Sequence, residues 1–244
     1  MIDIQKIKDA KKKKDGWWAS LFSGPAANKL LPFIADKEWI TPNCVTSASL
    51  CICIIACAFI SNGGWVFLVI GGILLQLVFI VDCLDGQLAR YRNQCSNFGA
   101  WYDRVTDRVK DFMIYFSIAW GNFNIEFDWR IWPLSMVAFF FIFLFDYYVN
   151  MDVKLESQKN FDESSSIKPS KWSIKNLIKS IFALGEKVYK SIPILQFHIG
   201  EQYLIITLFL IFNQSLGLLY FVSILGVFYS IYWPVSKFYG RKPV

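Results

Sequence analysis

The feature that most limits how this chain can fold is a set of six apolar stretches, roughly residues 44–61, 65–82, 109–121, 131–151, 193–213 and 216–234. A bilayer core about 30 Å thick takes about 20 helical residues, so five of these are long enough to cross it as helices. The third is too short unless the charged segment before it continues the same helix. Hydrophobic residues make up 55% of the 244, which argues against an ordinary soluble globule. The predicted fold is an all-α integral membrane protein with six transmembrane helices.

The gaps between the stretches assign an orientation. SNGG (61–64) and NQSLG (213–217) hold no Lys or Arg, and residues 121–131 hold one Arg and two acids. By contrast, the first 40 residues and residues 153–192 hold eight lysines each, and Lys237, Arg241 and Lys242 close the chain. The positive-inside rule then predicts six spans with both termini cytoplasmic, and places residues 83–108 on the cytoplasmic side. The net charge of +6 describes a surface facing anionic lipid headgroups. No aromatic and basic pattern of a nucleic-acid module accompanies it, so no nucleic-acid partner is expected.

Residues 1–40 read as a cytoplasmic segment with an interfacial amphipathic helix, because Trp17, Trp18, Leu21, Phe22, Leu30, Leu31, Phe33 and Ile34 cluster among few charges. Pro25 is expected to break or kink it. Residues 41–240 form the six-helix domain, interrupted by a cytoplasmic loop over 153–192. That loop reads as a Ser-rich linker (153–170) followed by a second amphipathic helix. No cleavable signal peptide is visible. The six cysteines are at none of the spacings of a zinc site and read as packing residues.

Directly after the second apolar stretch comes VDCLDGQLARYRNQCSNFGAWYDRVTD, residues 81–107, with four aspartates. Carboxylates at membrane depth are rare and usually face a cavity, a partner or an ion. Asp82, Asp85 and Ala89 fall on one stripe of a helix, and Asp103 and Asp107 on one stripe of the next. A hairpin around 91–98 would bring all four carboxylates together, where they repel one another unless cations neutralise them. Hard oxygen ligands suit Mg²⁺ or Mn²⁺, and four carboxylates can bridge two ions about 3.5–4 Å apart. Gly86, Gly99 and Ala89 keep the walls of such a pocket low. Arg90 supplies a fork for phosphate oxygens. These residues describe a site for a pyrophosphate.

Asp82, Asp85, Gly86, Ala89, Arg90, Gly99, Asp103 and Asp107 reproduce D-x2-D-G-x2-A-R-x8-G-x3-D-x3-D, eight fixed residues over 26 positions. This resembles the signature of the CDP-alcohol phosphotransferases (CDP-alcohol phosphatidyltransferases), and TPNCVT at 41–46 also looks like that family. The resemblance implies a membrane transferase that moves a substituted phosphate from a CDP-linked donor, CDP-diacylglycerol or a CDP-alcohol, to an alcohol hydroxyl with release of CMP. It implies Asp82, Asp85, Asp103 and Asp107 as ligands of two Mg²⁺ or Mn²⁺ ions, and Asp107 as the general base. Asn43, Gly86, Ala89, Arg90 and Ser96 would hold the CDP moiety. The family resemblance further implies a bacterial or archaeal cytoplasmic membrane, a site open to the cytoplasm, membrane-lipid partners and, in many members, a homodimer.

Two other functions are weighed against this one. An ion-coupled transporter would also use intramembrane carboxylates, but has no need of the glycines and Ala-Arg at fixed spacing. A membrane prenyltransferase would bind a pyrophosphate through Asp-bound Mg²⁺, but needs a second Asp-rich motif, and the later spans offer only Asp146. Arg104, Arg108 and Lys110 read as neutralising or snorkelling cations. Arg104 and Asp146 are also candidates for the acceptor pocket, and His198 reads as an ordinary interfacial residue. Residues 193–234 contain no Lys or Arg, which favours an uncharged or zwitterionic alcohol, or a lipid hydroxyl, over a phosphorylated acceptor.

Overall fold

The computed structural model describes Ala10 and residues 16–159 and 199–240, and among these residues it is helical with no strand. Seven α-helices follow in order: α1 (Gly24–Ala35), α2 (Pro42–Ile60), α3 (Trp65–Tyr91), α4 (Asn97–Glu126), α5 (Ile131–Lys159), α6 (Ile199–Ile211) and α7 (Ser215–Gly240). Among the described residues, four segments are long and apolar enough to cross a membrane: Pro42–Ile60, Trp65–Tyr91, Ile131–Tyr148 and Ser215–Tyr232. The third predicted span is the inner part of α4, a single 30-residue helix in which the charged segment and the apolar one are continuous. The fifth is represented by α6, whose 13 residues rise only about 20 Å.

The chain divides into two units, Met1–Ser135 with Phe197–Leu218, and Met136–Gln196 with Leu219–Val244. In the second unit the Phe145 and Tyr229 rings lie 5.3 Å apart, and Gly226 backs directly onto Phe141. The first unit carries the charged hairpin.

Local chemistry explains the boundaries in the first unit. Thr41 caps α2, its hydroxyl accepting from the Cys44 N–H at 3.2 Å, and Pro42 takes the first turn, where its missing N–H is harmless. α3 ends in a Schellman motif: the Asn93 N–H donates to the Arg90 carbonyl, the Gln94 N–H to the Ala89 carbonyl, and Asn93 takes the left-handed conformation (φ 55°). Ser96 then caps α4, its hydroxyl accepting from the Gly99 N–H at 3.0 Å. The tight turn at 92–96 leads from α3 directly into α4. At the other end, Gly63 (φ 72°) and Gly121 let the chain approach the Ile60 carbonyl, where a Cβ on Gly121 would come within 2.5 Å.

Ala19, Ser23, Ala27, Leu31 and Ala35 recur every four residues, and this stripe is buried in the first unit with Leu84, Leu88 and Tyr91. The opposite face leaves Leu21 69% and Phe33 71% exposed. Pro25 does not break the segment. It lacks an N–H to donate and its ring crowds the preceding turn, and residues Ala19–Ser23 widen into a π-turn that runs straight into α1.

Arg92, in the hairpin loop, secures the far end of α1: it donates to the carbonyls of Ala35 (3.0 Å), Ile40 (2.6 Å), Ile34 and Lys37 (both 2.8 Å). Deeper in the unit, Gln76 accepts from the Trp18 indole at 3.0 Å and donates to Thr207 Oγ1 at 2.7 Å, which satisfies its amide inside the bundle.

One expected boundary is corrected. Residues 153–159, read as the start of a linker, continue α5 to Lys159 because Lys, Leu, Glu and Gln there are strong helix formers. The rest of that loop, the second amphipathic helix, His198 and most of residues 1–15 lie outside the described residues.

Candidate active site

α3 carries Asp82 and Asp85, and α4 carries Asp103 and Asp107. Asp82, Asp85 and Asp103 each offer a carboxylate oxygen, and the three oxygens lie within 4.8 Å of one another. Three carboxylates at this separation match the donor chemistry of a hard divalent cation, so the residues fit an Mg²⁺ or Mn²⁺ ion. Asp85 is the most enclosed of the three, 7% exposed, and its Oδ2 accepts from the Thr46 hydroxyl at 2.5 Å. That bond holds a buried carboxylate in one orientation.

Asp107 does not join this group. Its Oδ1 lies 2.8 Å from Lys110 Nζ, one turn further along α4, and the same ammonium contacts Asp82 Oδ1. Lys110 also donates to Ser49 Oγ at 3.4 Å, and its side chain is 1% exposed. Lys110 is therefore a buried counter-charge between two of the four aspartates, consistent with its reading as a neutralising cation. The fourth carboxylate is paired with this ammonium.

Beside the carboxylates opens a pocket of about 250 Å³ lined by Pro42, Asn43, Thr46, Asp85, Gly86, Ala89, Arg90, Gln94, Cys95, Ser96, Gly99, Ala100 and Asp103. All five residues assigned to CDP are in its wall, together with two of the three clustered aspartates. Arg90 donates from Nε to the Ala10 carbonyl, and its terminal nitrogens hang over Gly86, where a Cβ would come within 3.2 Å of Nη1. A Cβ on Gly99 would lie 3.1 Å from Ser96 Oγ and 3.3 Å from Asn43 Oδ1. The glycines therefore make room for polar side chains that line the pocket.

Neither acceptor-pocket candidate is among the residues that line this pocket. Arg104 is exposed on another face of α4, donating to the Ala100 carbonyl at 3.1 Å. It lines a shallow concavity with Trp101, Val105, Arg108, Val109 and Phe112 that contains none of the four aspartates. Position 104 follows 103 by one residue, about 100° around the helix, which turns its side chain away from that of Asp103. Asp146 is half-buried on α5, in the second unit. Thr46 was not assigned a role from sequence, although it sits in TPNCVT four residues after the Pro42 that opens α2. Its partner Asp85 is 39 residues away, and nothing local marks the pair.

A model of the CDP-alcohol phosphatidyltransferase family matches residues 39–231. The chain is 30% identical over 128 residues to the bifunctional IPC transferase and DIPP synthase of Aquifex aeolicus, covering 52% of this chain and 27% of that one. It is 35% identical over 85 residues to the archaetidylinositol phosphate synthase of Pyrococcus horikoshii (34% and 43% of the two chains). It is 31% identical over 98 residues to the phosphatidylinositol phosphate synthase of Mycobacteroides abscessus (40% and 41%). These matches span between about a quarter and a half of the length of the curated relatives.

Proposed function

Because the chain belongs to the CDP-alcohol phosphatidyltransferase family, we propose that it transfers a substituted phosphate from a CDP-linked donor to an alcohol hydroxyl and releases CMP. The observation that carries this reading is the pocket that joins Asp85 and Asp103 to Asn43, Gly86, Ala89, Arg90 and Ser96. Arg90 would take phosphate oxygens of the donor with its guanidinium fork, and Asn43 and Ser96 would orient the rest of the CDP. Gly86 and Ala89 keep the floor low enough for the diphosphate to sit against α3. Asp107 would accept the proton of the acceptor hydroxyl as its oxygen bonds to the β-phosphorus. The bond from that phosphorus to the bridging oxygen breaks, and the bridging oxygen leaves with CMP. Two Mg²⁺ or Mn²⁺ ions held by Asp82, Asp85, Asp103 and Asp107 would supply electrostatic stabilisation of the diphosphate oxygens.

The same reading takes the chain across the membrane six times with both termini and the pocket on the cytoplasmic side. A bacterial or archaeal setting and a homodimer belong to it as further proposals. For the acceptor, residues 199–234 of α6 and α7 carry no Lys or Arg, and this supports an alcohol without a phosphate. A second reading, a phosphorylated inositol, is favoured by the names of the relatives that make archaetidylinositol phosphate and phosphatidylinositol phosphate.

The test is CMP release from solubilised protein with Mg²⁺ or Mn²⁺ and a panel of CDP donors and alcohols. Turnover that depends on inositol phosphate would decide for the second reading. Asp107→Asn is expected to abolish turnover while metal-dependent donor binding persists. An absence of CMP from every donor would refute the transferase reading and leave a transporter.

A further inference from the structure

α2 and α4 meet along one wall of the pocket, and their periods pair them at two levels. Asn43 and Ser47 are at i and i+4 on α2, and Gly99 and Tyr102 at i and i+3 on α4, so each pair lies on one stripe of its helix. At the first level, a Cβ on Gly99 would lie 3.3 Å from Asn43 Oδ1, and both residues line the pocket. One turn further along, Ser47 Oγ and the Tyr102 hydroxyl are 2.9 Å apart. Ser47 Oγ also donates to the Asn43 carbonyl at 2.9 Å. The serine has a single proton, so both bonds are made together only when Tyr102 donates to Ser47 and Ser47 donates to Asn43. This chain of hydrogen bonds ends on the backbone of a residue in the pocket wall.

The preceding residue completes the arrangement. Thr46 ties the same turn of α2 to Asp85 of α3, so Thr46 and Ser47 together fasten α2 to both of its neighbours. The Tyr102 ring stacks on Phe98, with centroids 6.1 Å apart and planes 5° from parallel, and this restricts where its hydroxyl points. Neither Tyr102 nor Ser47 lines the pocket. Their bond acts on it through the spacing of α2 and α4, where Asn43 faces Gly99. Without that bond, Asn43 keeps its chemistry but has to be ordered each time a nucleotide binds, and this ordering is subtracted from affinity.

We infer that Tyr102 is a positioning residue for the donor: through Ser47 it holds Asn43 in the geometry that receives the CDP moiety, and so sets donor affinity without touching donor or acceptor. The inference rests on the reading of this pocket as the CDP site.

The experiment follows CMP release by the full chain in detergent, with donor and acceptor varied in turn, for the unmodified protein and Tyr102→Phe. The substitution removes the hydroxyl and keeps the ring on Phe98. Loss of one hydrogen bond corresponds to a donor KM raised by about 2- to 10-fold. That rise is expected with kcat and acceptor KM within about twofold of the unmodified values. A merely structural role would lower the thermal midpoint or the active fraction, and so kcat, and leave donor KM unmoved. Ser47→Ala breaks the chain of bonds at its middle and is expected to raise donor KM alike, with the double variant no worse than either single one. It also carries the test if Tyr102→Phe does not fold. An unchanged donor KM in these variants, or effects that multiply in the double variant, would overturn the inference and leave the transferase standing. If the unmodified chain releases no CMP from any donor, the transferase reading fails, and calorimetry with CDP decides the inference. Weaker CDP binding by Tyr102→Phe upholds it, and equal or absent binding overturns it.

Discussion

Replacing Thr46 by Val removes one hydroxyl and little else, and the structure lets its effect be sized. Thr46 is 3% exposed, and its hydroxyl has a single proton, directed at Asp85 Oδ2 at 2.5 Å in preference to the Pro42 carbonyl at 3.2 Å. A hydrogen bond to a charged group contributes about 1.5–3 kcal/mol net, which at about 1.36 kcal/mol per decade is a factor of about 10 to 150. Without the hydroxyl, the buried Asp85 carboxylate must turn to find another donor, and that rotation has to be reversed before an ion can bind. The expected result is a Mn²⁺ Kd raised by about 10- to 100-fold, the range seen when a partner that orients a metal ligand is lost. The assay is a Mn²⁺ titration on solubilised protein, read as loss of the free-ion resonance signal. Thr46→Ser, which keeps the hydroxyl, is expected to bind like the unmodified chain. A Thr46→Val protein with a Kd within about twofold of it would refute the claim that this bond organises the site.

Two further outcomes test the scaffold. Gly121→Ala sets a Cβ within 2.5 Å of the Ile60 carbonyl and 3.2 Å of Gly63 backbone atoms, which cannot rotate away. The variant is expected to lose about 1–3 kcal/mol and to show a lower thermal midpoint in detergent; an unchanged midpoint would contradict that close approach. Arg92→Met removes the donors that hold the carbonyls of Ile34, Ala35, Lys37 and Ile40. Amide exchange over residues 34–40 is expected to quicken by roughly tenfold or more, with Arg92→Lys only partly protective because an ammonium lacks the planar fork; unaltered exchange would show that the clamp is not what orders this end of α1.

Much of the site was legible because it is local. The intervals 82–85–89 and 103–107 put the aspartates on two stripes, and Asn93, Gln94 and Ser96 carry the turn chemistry that folds those stripes against each other. The continuity of α4 was also implied by an apolar stretch too short to span alone. The π-turn before Pro25 was less legible, because a proline in a helical segment is compatible with a break, a kink or a wider turn, and packing of the 19–35 stripe selects among them. Arg92 was hidden for another reason. It lies between two motif positions as an ordinary basic residue, and its acceptors are 52 to 58 residues earlier in the chain.

The sequence by itself determined that the chain is helical and apolar enough for a membrane, and that four carboxylates, an arginine and two glycines lie along one hairpin. Both follow from the period of the helix and the length of its apolar runs, which act within a single segment. Only the tertiary structure decided what each carboxylate faces: Asp85 a hydroxyl from α2, and Asp82 and Asp107 a shared ammonium, with Ser49 of α2 completing its shell. Those pairings depend on how far α2 slides and rotates against α3 and α4. That register is set by contacts such as Gly71 and Gly121 against Ile60, distant in sequence and shaped by packing, which periodicity along one helix does not encode.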